Sequence, residues 1–247
     1  MVKIFIDFDG TITQQDVGDA MFERFGGIQC RDIISQYREG LISAVECFHR
    51  ESALCGMVNR GELDGFIDSC EIDRTFVEFL SVCHQRNFEC YILSDGMDYY
   101  IKRILANNGI RDISCYSNIL GFDTVDGNHT VRFAPSFPYR DEVCERCASC
   151  KRNHMLTLSG DDDIIVYIGE GYSDRCPARY ADVVFAKDEL LHYCREENIS
   201  FYEYRTFSDV IQRLEKMSDI KHPRDKFIGF HKRRRAELER RGVFLGG

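Results

Sequence analysis

The sequence lacks any run of apolar residues near the roughly 20 that a membrane-spanning helix needs. It also lacks, before its first strand-like segment, the basic region, apolar region and cleavage site of a secretory leader. No internal repeat and no long low-complexity segment is found in its 247 residues. We therefore expect a cytoplasmic globular protein without a membrane partner, large enough for one domain or for a domain with a smaller insert.

Positive charge is scarce outside the C-terminal end of the chain. Residues 221–247 contain 9 Lys and Arg against 3 Asp and Glu, which leaves 23 against 38 in the first 220 residues. The net charge of −15 on these first 220 residues disfavours nucleic-acid binding. The basic segment "HKRRRAELERR" is a candidate surface for nucleic acid or another acidic partner, but we favour a solvated helix whose acidic residues pair with its arginines.

Cysteine is abundant, with 12 residues, but disulfide frameworks are typical of short secreted chains, so we expect mostly reduced thiols. Cys144, Cys147 and Cys150 form a C-x₂-C-x₂-C motif directly before Lys151. This spacing suits a structural zinc ion, and the alternatives are free thiols or a redox or iron–sulfur role. Candidates for a fourth zinc ligand are His154, Cys176 and Cys115.

Short apolar segments alternate with helical patterns along most of the chain. Residues 2–6, 88–96 and 164–168 have the composition of buried strands, and "TVDGNHTVRF" carries the Asp-Gly signal of a hairpin. Residues 13–80 show helical spacing that we expect to be broken at Gly26-Gly27, Gly40, Gly56 and Gly61. The alternation favours the α/β class, with a Rossmann-like, doubly wound parallel sheet and an inserted helical cap.

These patterns predict three parts of the chain. Residues 1–12 and 81–205 form the core, and residues 13–80 form the helical cap. Residues 206–247 form a helical, basic tail. The oligomeric state is left open.

Polar residues follow each of the three predicted core strands. The first strand leads into "DFDGT", the second into "SDG", and the third into "GEGYSD". Because ligands of parallel sheets bind beyond the carboxyl ends of the strands, we expect these residues to share one site. The residues in question are Asp7, Asp9, Gly10, Thr11, Ser94, Asp95, Gly96, Glu170 and Asp174.

Clustered carboxylates of this kind suit Mg²⁺, which prefers oxygen ligands and is commonly held by one or two carboxylates together with a substrate phosphate. A carboxylate in such a site can attack phosphorus, and a second can exchange a proton with the leaving oxygen and with water. Backbone amides, the Ser94 hydroxyl and the Lys151 ammonium would neutralise the phosphoryl oxygens. The sequence therefore points to phosphoryl-transfer chemistry.

Over roughly residues 1–205 these motifs resemble the four motifs of the haloacid dehalogenase-like phosphatases. The resemblance is strongest to the phosphoserine-phosphatase-like branch, and within it to the methionine-salvage hydroxyketo-methylthiopentenyl-phosphate phosphatases. The phosphoethanolamine and phosphocholine phosphatases are also similar. The segments that carry the resemblance are "DFDGTITQQD", "EIDRTFVEFL", "LSDGMDYYI", "CASCK" and "GEGYSDRCPARYADVVFAKDELL".

The resemblance implies a role for each motif. Asp7 would be the nucleophile and a Mg²⁺ ligand, and Asp9 would be the general acid and base, with its carbonyl also on the metal. Thr11, Ser94, Asp95, Gly96 and Lys151 would bind the phosphate or substrate. Glu170 would be a further metal ligand and Asp174 would support the metal site.

Two positions carry alternatives. The family usually has Asp where this chain has Glu170, and the extra methylene would move the metal by about 1 Å or change the metal preference. Asp16 lies nine residues after Asp7, where relatives place an acidic residue that reaches the substrate, but it is equally well placed to cap the following helix.

We expect a Mg²⁺-dependent phosphatase that hydrolyses a small phosphomonoester through an aspartyl-phosphate intermediate. A methionine-salvage ester, phosphoserine and a phosphoamine are the candidate substrates. The alternatives are a phosphotransferase or phosphomutase, a catalytically weak binding protein with the same fold, and a zinc-linked interaction protein.

Overall fold

The computed structural model describes residues 1–126, 129–142, 144, 146–160 and 162–216. The basic end of the chain, residues 217–247, lies outside the described residues, and so does the predicted role of that segment. Within the described residues, no helix has both the length and the hydrophobicity that crossing a membrane requires.

Helices and strands alternate in chain order as the sequence predicts. The strands are β1 (Val2–Ile6), β2 (Val58–Asn59), β3 (Glu89–Met97), β4 (Ser114–Asp126), β5 (Thr130–Ser136), β6 (Ile164–Gly169), β7 (Val183–Ala186) and β8 (Tyr202–Glu203). The helices are α1 (Val17–Gly26), α2 (Cys30–Arg38), α3 (Ala44–Cys55), α4 (Arg60–Asp68), α5 (Phe76–Gln85), α6 (Asp98–Asn107), α7 (Lys151–Leu158), α8 (Arg175–Ala178), α9 (Asp188–Glu196) and α10 (Phe207–Lys216).

Contacts divide the chain into two compact units. The first contains residues 1–7, 73–92 and 151 onward, and the second contains residues 8–72 and 93–150. The predicted boundaries at residues 12/13 and 80/81 stay a prediction.

The first unit is built on a parallel sheet in the order β3-β1-β6-β7-β8. Ile6 of β1 pairs with Ile92 on one side and with Ile168 on the other. All six residues of β6 are buried, which requires cover on both faces of the sheet. Later strands flank β1 on both sides, so the doubly wound α/β fold is confirmed and its switch point lies at β1.

The second unit joins helices to antiparallel strands. β5 pairs with β4 and with the short β2, which confirms the predicted hairpin, although Gly127 and Asn128 of its turn lie outside the described residues. α1, α2 and α3 pack together, and α3 also packs on β5. The segment predicted as a helical cap therefore contains four complete helices, α1 to α4, the first residues of α5, and one short strand that the sequence reasoning missed.

Glycines end the helices of this segment as predicted, with one exception. Gly27, Gly40 and Gly56 follow α1, α2 and α3 with φ angles of 86°, 75° and 60°, values that favour glycine over other residues. The predicted break at Gly61 is wrong. Asn59 caps α4 by accepting from the Glu62 amide, so Gly61 lies inside the first turn.

A buried glutamate lies among the helices of the second unit. Glu51 of α3 is 2% exposed, its Oε2 accepts from the Cys47 thiol at 3.6 Å, and its Oε1 has no hydrogen-bond partner among the described residues. Burial raises the pKa of Glu51 to about 8, and the carboxylates of Asp19 and Asp16 contribute in the same direction. The charged form of Glu51 is therefore unfavourable in the folded protein.

Replacing this glutamate should stabilise the protein most at alkaline pH. Because the folded-state pKa is about 8 and the ordinary value is 4.5, the proton on Glu51 stabilises the fold fully below the lower value, and this contribution is lost as the pH rises through the higher one. Glu51→Gln should therefore gain on the order of 2 kcal/mol in unfolding free energy over wild type when the pH is raised from about 5.5 to about 9. Denaturant unfolding at both pH values measures this difference, with Glu46→Gln at an exposed position of the same helix as the control. An equal response of the two variants would show that burial of Glu51 is not the cause.

The last described helix completes the core of the first unit. The Phe207 ring of α10 lies 4.8 Å from the Phe76 ring and 4.9 Å from the Phe79 ring, both on α5. The Phe207 amide donates to Asp73 Oδ2 at 2.9 Å, which fixes the start of α10. The start of the predicted tail is thus anchored to α5 by Phe207.

Truncating that cluster should be costly. Phe207→Ala removes a fully buried ring and should lower the unfolding free energy by roughly 3–5 kcal/mol. Val77→Ala, on the exposed side of α5, should change it by less than about 0.5 kcal/mol. Thermal or denaturant unfolding of both variants tests the assignment, and similar losses in the two would contradict it.

Candidate active site

The predicted nucleophile lies at the carboxyl end of β1. Asp7 follows Ile6, is 4% exposed, and donates its amide to Ile168 O on β6 at 2.9 Å. Glu170 follows the end of β6, the strand paired with β1, so these two predicted metal ligands extend from neighbouring parallel strands. The structure thus brings Asp7 and the "GEGYSD" motif together, as the sequence predicts.

Lys151 is the cation at this end of the sheet. It is the first residue of α7, and its side chain is 1% exposed. Its ammonium donates to Asp7 Oδ1 at 2.5 Å, to Asp174 Oδ1 at 2.6 Å and to Ser173 Oγ at 2.9 Å. These three acceptors match the three donors of an ammonium group. Burial alone would lower the pKa of Lys151, but the carboxylates of Asp174 and Asp7 outweigh it and raise the pKa above the ordinary value.

Asp174 is fully buried and accepts hydrogen bonds at both carboxylate oxygens. Oδ1 accepts from Lys151 and from the Tyr167 hydroxyl at 2.5 Å, and Oδ2 accepts from the amides of Glu170 and Gly171 at 2.9 and 3.0 Å. In this geometry Asp174 anchors Lys151 and the turn after β6. Its predicted contribution to the metal site would accordingly be indirect.

Asp9 begins a second group of side chains, all in the second unit. Asp9 Oδ2 accepts from the Tyr100 hydroxyl at 2.8 Å and from the Ser94 hydroxyl at 3.2 Å, while Oδ1 accepts from the Val17 amide at 3.2 Å. The Ser94 hydroxyl in turn accepts from the Gly96 amide at 2.8 Å. The structure therefore joins two sequence motifs, "DFDGT" and "SDG", through the predicted acid and base.

The turn after β1 uses its own polar groups internally. The amides of Thr11, Ile12 and Thr13 all point to Phe8 O, at 3.3, 2.9 and 3.1 Å, and Thr11 is buried. The Gly10 amide donates to Gln15 O at 3.1 Å. The predicted phosphate-binding role of Gly10 and Thr11 stays a prediction, since these amides are occupied by the turn in this conformation.

Asp95, predicted to bind the phosphate or substrate, is hydrogen-bonded to two later segments of the chain, and its predicted role stays a prediction. Its Oδ1 accepts from the Ser149 amide at 2.6 Å, and its carbonyl accepts from Asn118 Nδ2 at 2.7 Å. Ser149 lies two residues before Lys151 in the chain. Asp95 therefore fixes the segment that leads to the lysine.

Asp16 acts as a helix cap. It is the N-cap of α1, and its Oδ1 accepts from the Asp19 amide at 2.8 Å. This confirms the capping alternative for Asp16, and its predicted contact with a substrate stays a prediction.

The cysteine motif shows no metal site in the described part of the chain. Cys144 and Cys147 are half-buried, and Cys150 is buried. No group of three or more His, Cys, Asp or Glu residues is arranged to hold a metal ion among the described residues. The zinc hypothesis therefore gains no support.

The donor set nevertheless fits Mg²⁺ in its usual binding mode. Mg²⁺ is commonly bound by one or two protein carboxylates, with water and substrate phosphate completing the shell, so a ready group of three acidic residues is not needed. Asp7 and Glu170 supply carboxylate oxygens at the ends of adjacent parallel strands. They are therefore the carboxylates that the predicted Mg²⁺ site would use.

Sequence reasoning missed three side chains of these groups. Tyr167 lies inside the apolar run "IIVYI", where a hydroxyl gives no sign of its partner, and Ser173 lies inside a motif read only for its carboxylates. Tyr100 lies six residues after Ser94 in the first turn of α6, and this short separation is the sequence signal that both could contact Asp9. In each case the partner belongs to a distant part of the chain.

Comparison with known proteins identifies the family. A family model described as "Putative Phosphatase" matches residues 2–201. The 2-hydroxy-3-keto-5-methylthiopentenyl-1-phosphate phosphatase of Bacillus thuringiensis (strain Al Hakam) is 29% identical over 226 residues, which covers 89% of this chain and 99% of that protein.

Solved structures show the same fold. An HAD family hydrolase from Salmonella enterica subsp. enterica serovar Typhi superposes with a TM-score of 0.67 at 18% identity, covering 85% of this chain and 69% of that chain. A substrate-bound phosphoserine phosphatase superposes with a TM-score of 0.64 at 16% identity, covering 86% and 97%. The chain therefore belongs to the putative phosphatase family, and it is a phosphoric monoester hydrolase with the haloacid dehalogenase-like fold.

Proposed function

We propose that this protein hydrolyses a small phosphomonoester in a Mg²⁺-dependent reaction that passes through a phosphorylated Asp7. The observation that carries the proposal is the contrast between two carboxylates separated only by Phe8. Asp7 accepts from the buried Lys151 ammonium, and Asp9 accepts from hydroxyl and amide groups. Chain geometry alone keeps their Cα atoms within about 7 Å of each other.

In the first half-reaction, an Asp7 carboxylate oxygen attacks the phosphorus atom of the ester. The bond between phosphorus and the ester oxygen breaks as the bond to Asp7 forms. Asp9, entering this step protonated, gives its proton to the departing oxygen, so the alcohol leaves neutral. Lys151 lies beside the attacked position and offsets the negative charge of the phosphoryl oxygens.

In the second half-reaction, water attacks the phosphorus atom of the Asp7 ester. Asp9, now a carboxylate, takes the proton from this water, and the bond between phosphorus and Asp7 breaks. The products are inorganic phosphate and free Asp7, and Asp9 is again protonated. If an alcohol replaces water in this step, the same residues perform phosphotransfer.

Asp7, the Asp9 carbonyl and Glu170 are the groups we propose to hold Mg²⁺. When bound there, the ion neutralises charge on the phosphoryl oxygens and lowers the cost of bringing an anionic ester to the Asp7 carboxylate. Asp174 would support this arrangement through Lys151 and the amides of Glu170 and Gly171.

The similarity at 29% identity to a 2-hydroxy-3-keto-5-methylthiopentenyl-1-phosphate phosphatase makes that ester our first candidate substrate. Phosphoserine and phosphoamines follow, since the fold is shared with phosphoserine phosphatase. We also propose a reducing compartment such as the cytoplasm, because a sequence of this length with 12 cysteines suits reduced thiols better than the disulfide framework of a short secreted chain.

Removing the nucleophile should abolish hydrolysis. Asp7→Asn keeps the size of the side chain but removes the oxygen charge that attacks phosphorus, so the rate should fall by on the order of 10⁴ or more. The measurement is phosphate release from a panel of small phosphomonoesters, with Mg²⁺ and with a chelator.

Asp68→Asn is the matched control, because Asp68 is an exposed carboxylate of α4 that pairs with Arg103. It should keep wild-type activity. Circular dichroism of both variants checks that they fold. Substantial Mg²⁺-dependent activity in folded Asp7→Asn would rule out phosphorylation of Asp7.

Glu170 should determine how much Mg²⁺ the enzyme needs. Glu170→Gln removes one ligand charge and should raise the Mg²⁺ concentration at half-maximal rate by on the order of tenfold or more. Glu197→Gln, at a surface ion pair with Arg179, should leave it unchanged. Steady-state rates across a Mg²⁺ titration give the comparison.

The same titration tests the rival hypothesis of a catalytically weak binding protein. That hypothesis rests on the Glu in place of the family's usual Asp, and it requires that Glu170→Asp turns over faster than wild type. Efficient wild-type hydrolysis of any ester in the panel would exclude it.

A further inference from the structure

The carboxylate of Asp9 is held from three directions. The Val17 amide donates to Oδ1, and the Tyr100 and Ser94 hydroxyls both donate to Oδ2. Of the two hydroxyl contacts, that of Tyr100 is shorter, 2.8 Å against 3.2 Å. The orientation of the Asp9 side chain thus depends on two residues from "LSDGMDYYI" and on the start of α1.

Tyr100 is placed for this contact by packing. It lies in the first turn of α6, is fully buried, and its ring is 6.2 Å from the ring of Phe8, the residue next to Asp9. A buried phenol needs an internal hydrogen-bond partner, and Asp9 supplies it.

Two glycines leave room for the Tyr100 hydroxyl. A Cβ atom on Gly96 would overlap this hydroxyl and lie 2.5 Å from Asp9 Oδ2, and a Cβ atom on Gly18 would lie 3.2 Å from the hydroxyl. These spaces belong to different segments, one after Ser94 and one at the start of α1. The absence of a side chain at Gly96 and at Gly18 therefore leaves the space in which the Tyr100 hydroxyl reaches the Asp9 carboxylate.

The two hydroxyl donors differ in what else they can do. The Ser94 hydroxyl has a single proton, and its proposed role is to bind the substrate phosphate, which would withdraw that proton from Asp9. Tyr100 is enclosed and has no such second task in the proposed reaction. It is the side-chain donor that can hold Asp9 throughout the cycle.

We propose that Tyr100 is a positioning residue that orients Asp9 for proton transfer to the leaving group and from water. This inference rests on the proposed function, because it assigns Tyr100 a task in that reaction. Tyr100 itself exchanges no proton with the substrate. Without the Tyr100 hydroxyl, Asp9 stays at its position but its carboxylate is less precisely oriented. Small misplacements of reacting groups lower the reaction rate by large factors.

The test uses two esters that differ in their need for an acid. An alkyl phosphate must be protonated as it leaves, whereas 4-nitrophenyl phosphate releases a stable phenolate without help. The value of kcat/KM reports the steps up to leaving-group release and so isolates the first half-reaction. It is measured for both esters with wild type, Tyr100→Phe and the control Tyr99→Phe, whose hydroxyl donates to Asp64 instead.

For Tyr100→Phe we expect kcat/KM for the alkyl phosphate to fall by on the order of tenfold to a hundredfold, and for 4-nitrophenyl phosphate by less than about threefold. Tyr99→Phe should change the two values equally and little. With 4-nitrophenyl phosphate, Tyr100→Phe should also show an initial burst of nitrophenol, because slower activation of water lets phosphorylated Asp7 accumulate.

The opposite outcomes separate the two proposals. If wild type hydrolyses both esters and Tyr100→Phe loses both equally or neither, the positioning role is rejected and the proposed function stands. A folded wild type that hydrolyses no ester in the presence of Mg²⁺ would reject the proposed function and the role of Tyr100 with it. Thermal unfolding of each variant ensures that an equal loss is not simply unfolding.

Discussion

The buried ammonium of Lys151 is the interaction on which the rest of the catalytic end of the sheet depends. Two carboxylates, Asp7 and Asp174, lie within 2.6 Å of it in an environment almost closed to water. Without the cation, two like charges would be buried near each other, and removing one partner of a buried ion pair typically costs about 3–5 kcal/mol. The lysine thus compensates the charge of Asp7, the nucleophile of the proposed reaction, at the end of a buried strand. It achieves this with all three ammonium protons directed at named acceptors.

This arrangement constrains the chain around it. A Cβ atom on Gly169 would lie 2.5 Å from Asp174 Oδ2, so the end of β6 must be glycine if Asp174 is to turn back toward the sheet. This turn places the Asp174 carboxylate so that one oxygen accepts from the amides of Glu170 and Gly171 and the other accepts from Lys151. In the second unit Gly96 has the same relation to Asp9 and Tyr100. In both units a glycine at the end of a strand lets a carboxylate approach the backbone, and a tyrosine hydroxyl completes its hydrogen bonds.

The fold and the identity of the acidic residues could be predicted from the sequence because both follow from local patterns. An apolar strand followed by an acidic residue, as at Asp7 and Glu170, can be recognised from a few consecutive residues. The pairing of β1 with β6 in a parallel sheet then places the two strand ends side by side. The hydrogen-bond partners could not be predicted, since a tyrosine in an apolar run is indistinguishable from a packing residue until its neighbours in space are known. Asp95 shows the same limit from the other side. It lies within the predicted motif, and its carboxylate accepts from the Ser149 amide, a partner 54 residues away that the motif does not indicate.

The different surroundings of Asp7 and Asp9 explain how two identical side chains, two positions apart, can have opposite tasks. Lys151 places a full positive charge within hydrogen-bond distance of Asp7, and an opposite charge stabilises a carboxylate more strongly than neutral hydroxyl and amide donors do. In the proposed reaction Asp7 is therefore the carboxylate that attacks phosphorus. Asp9, oriented by the hydroxyls of Tyr100 and Ser94 and by the Val17 amide, is suited to gain and lose a proton without changing its position. A pair of carboxyl groups whose environments differ in this way supplies a nucleophile and an acid–base catalyst from one short turn of chain.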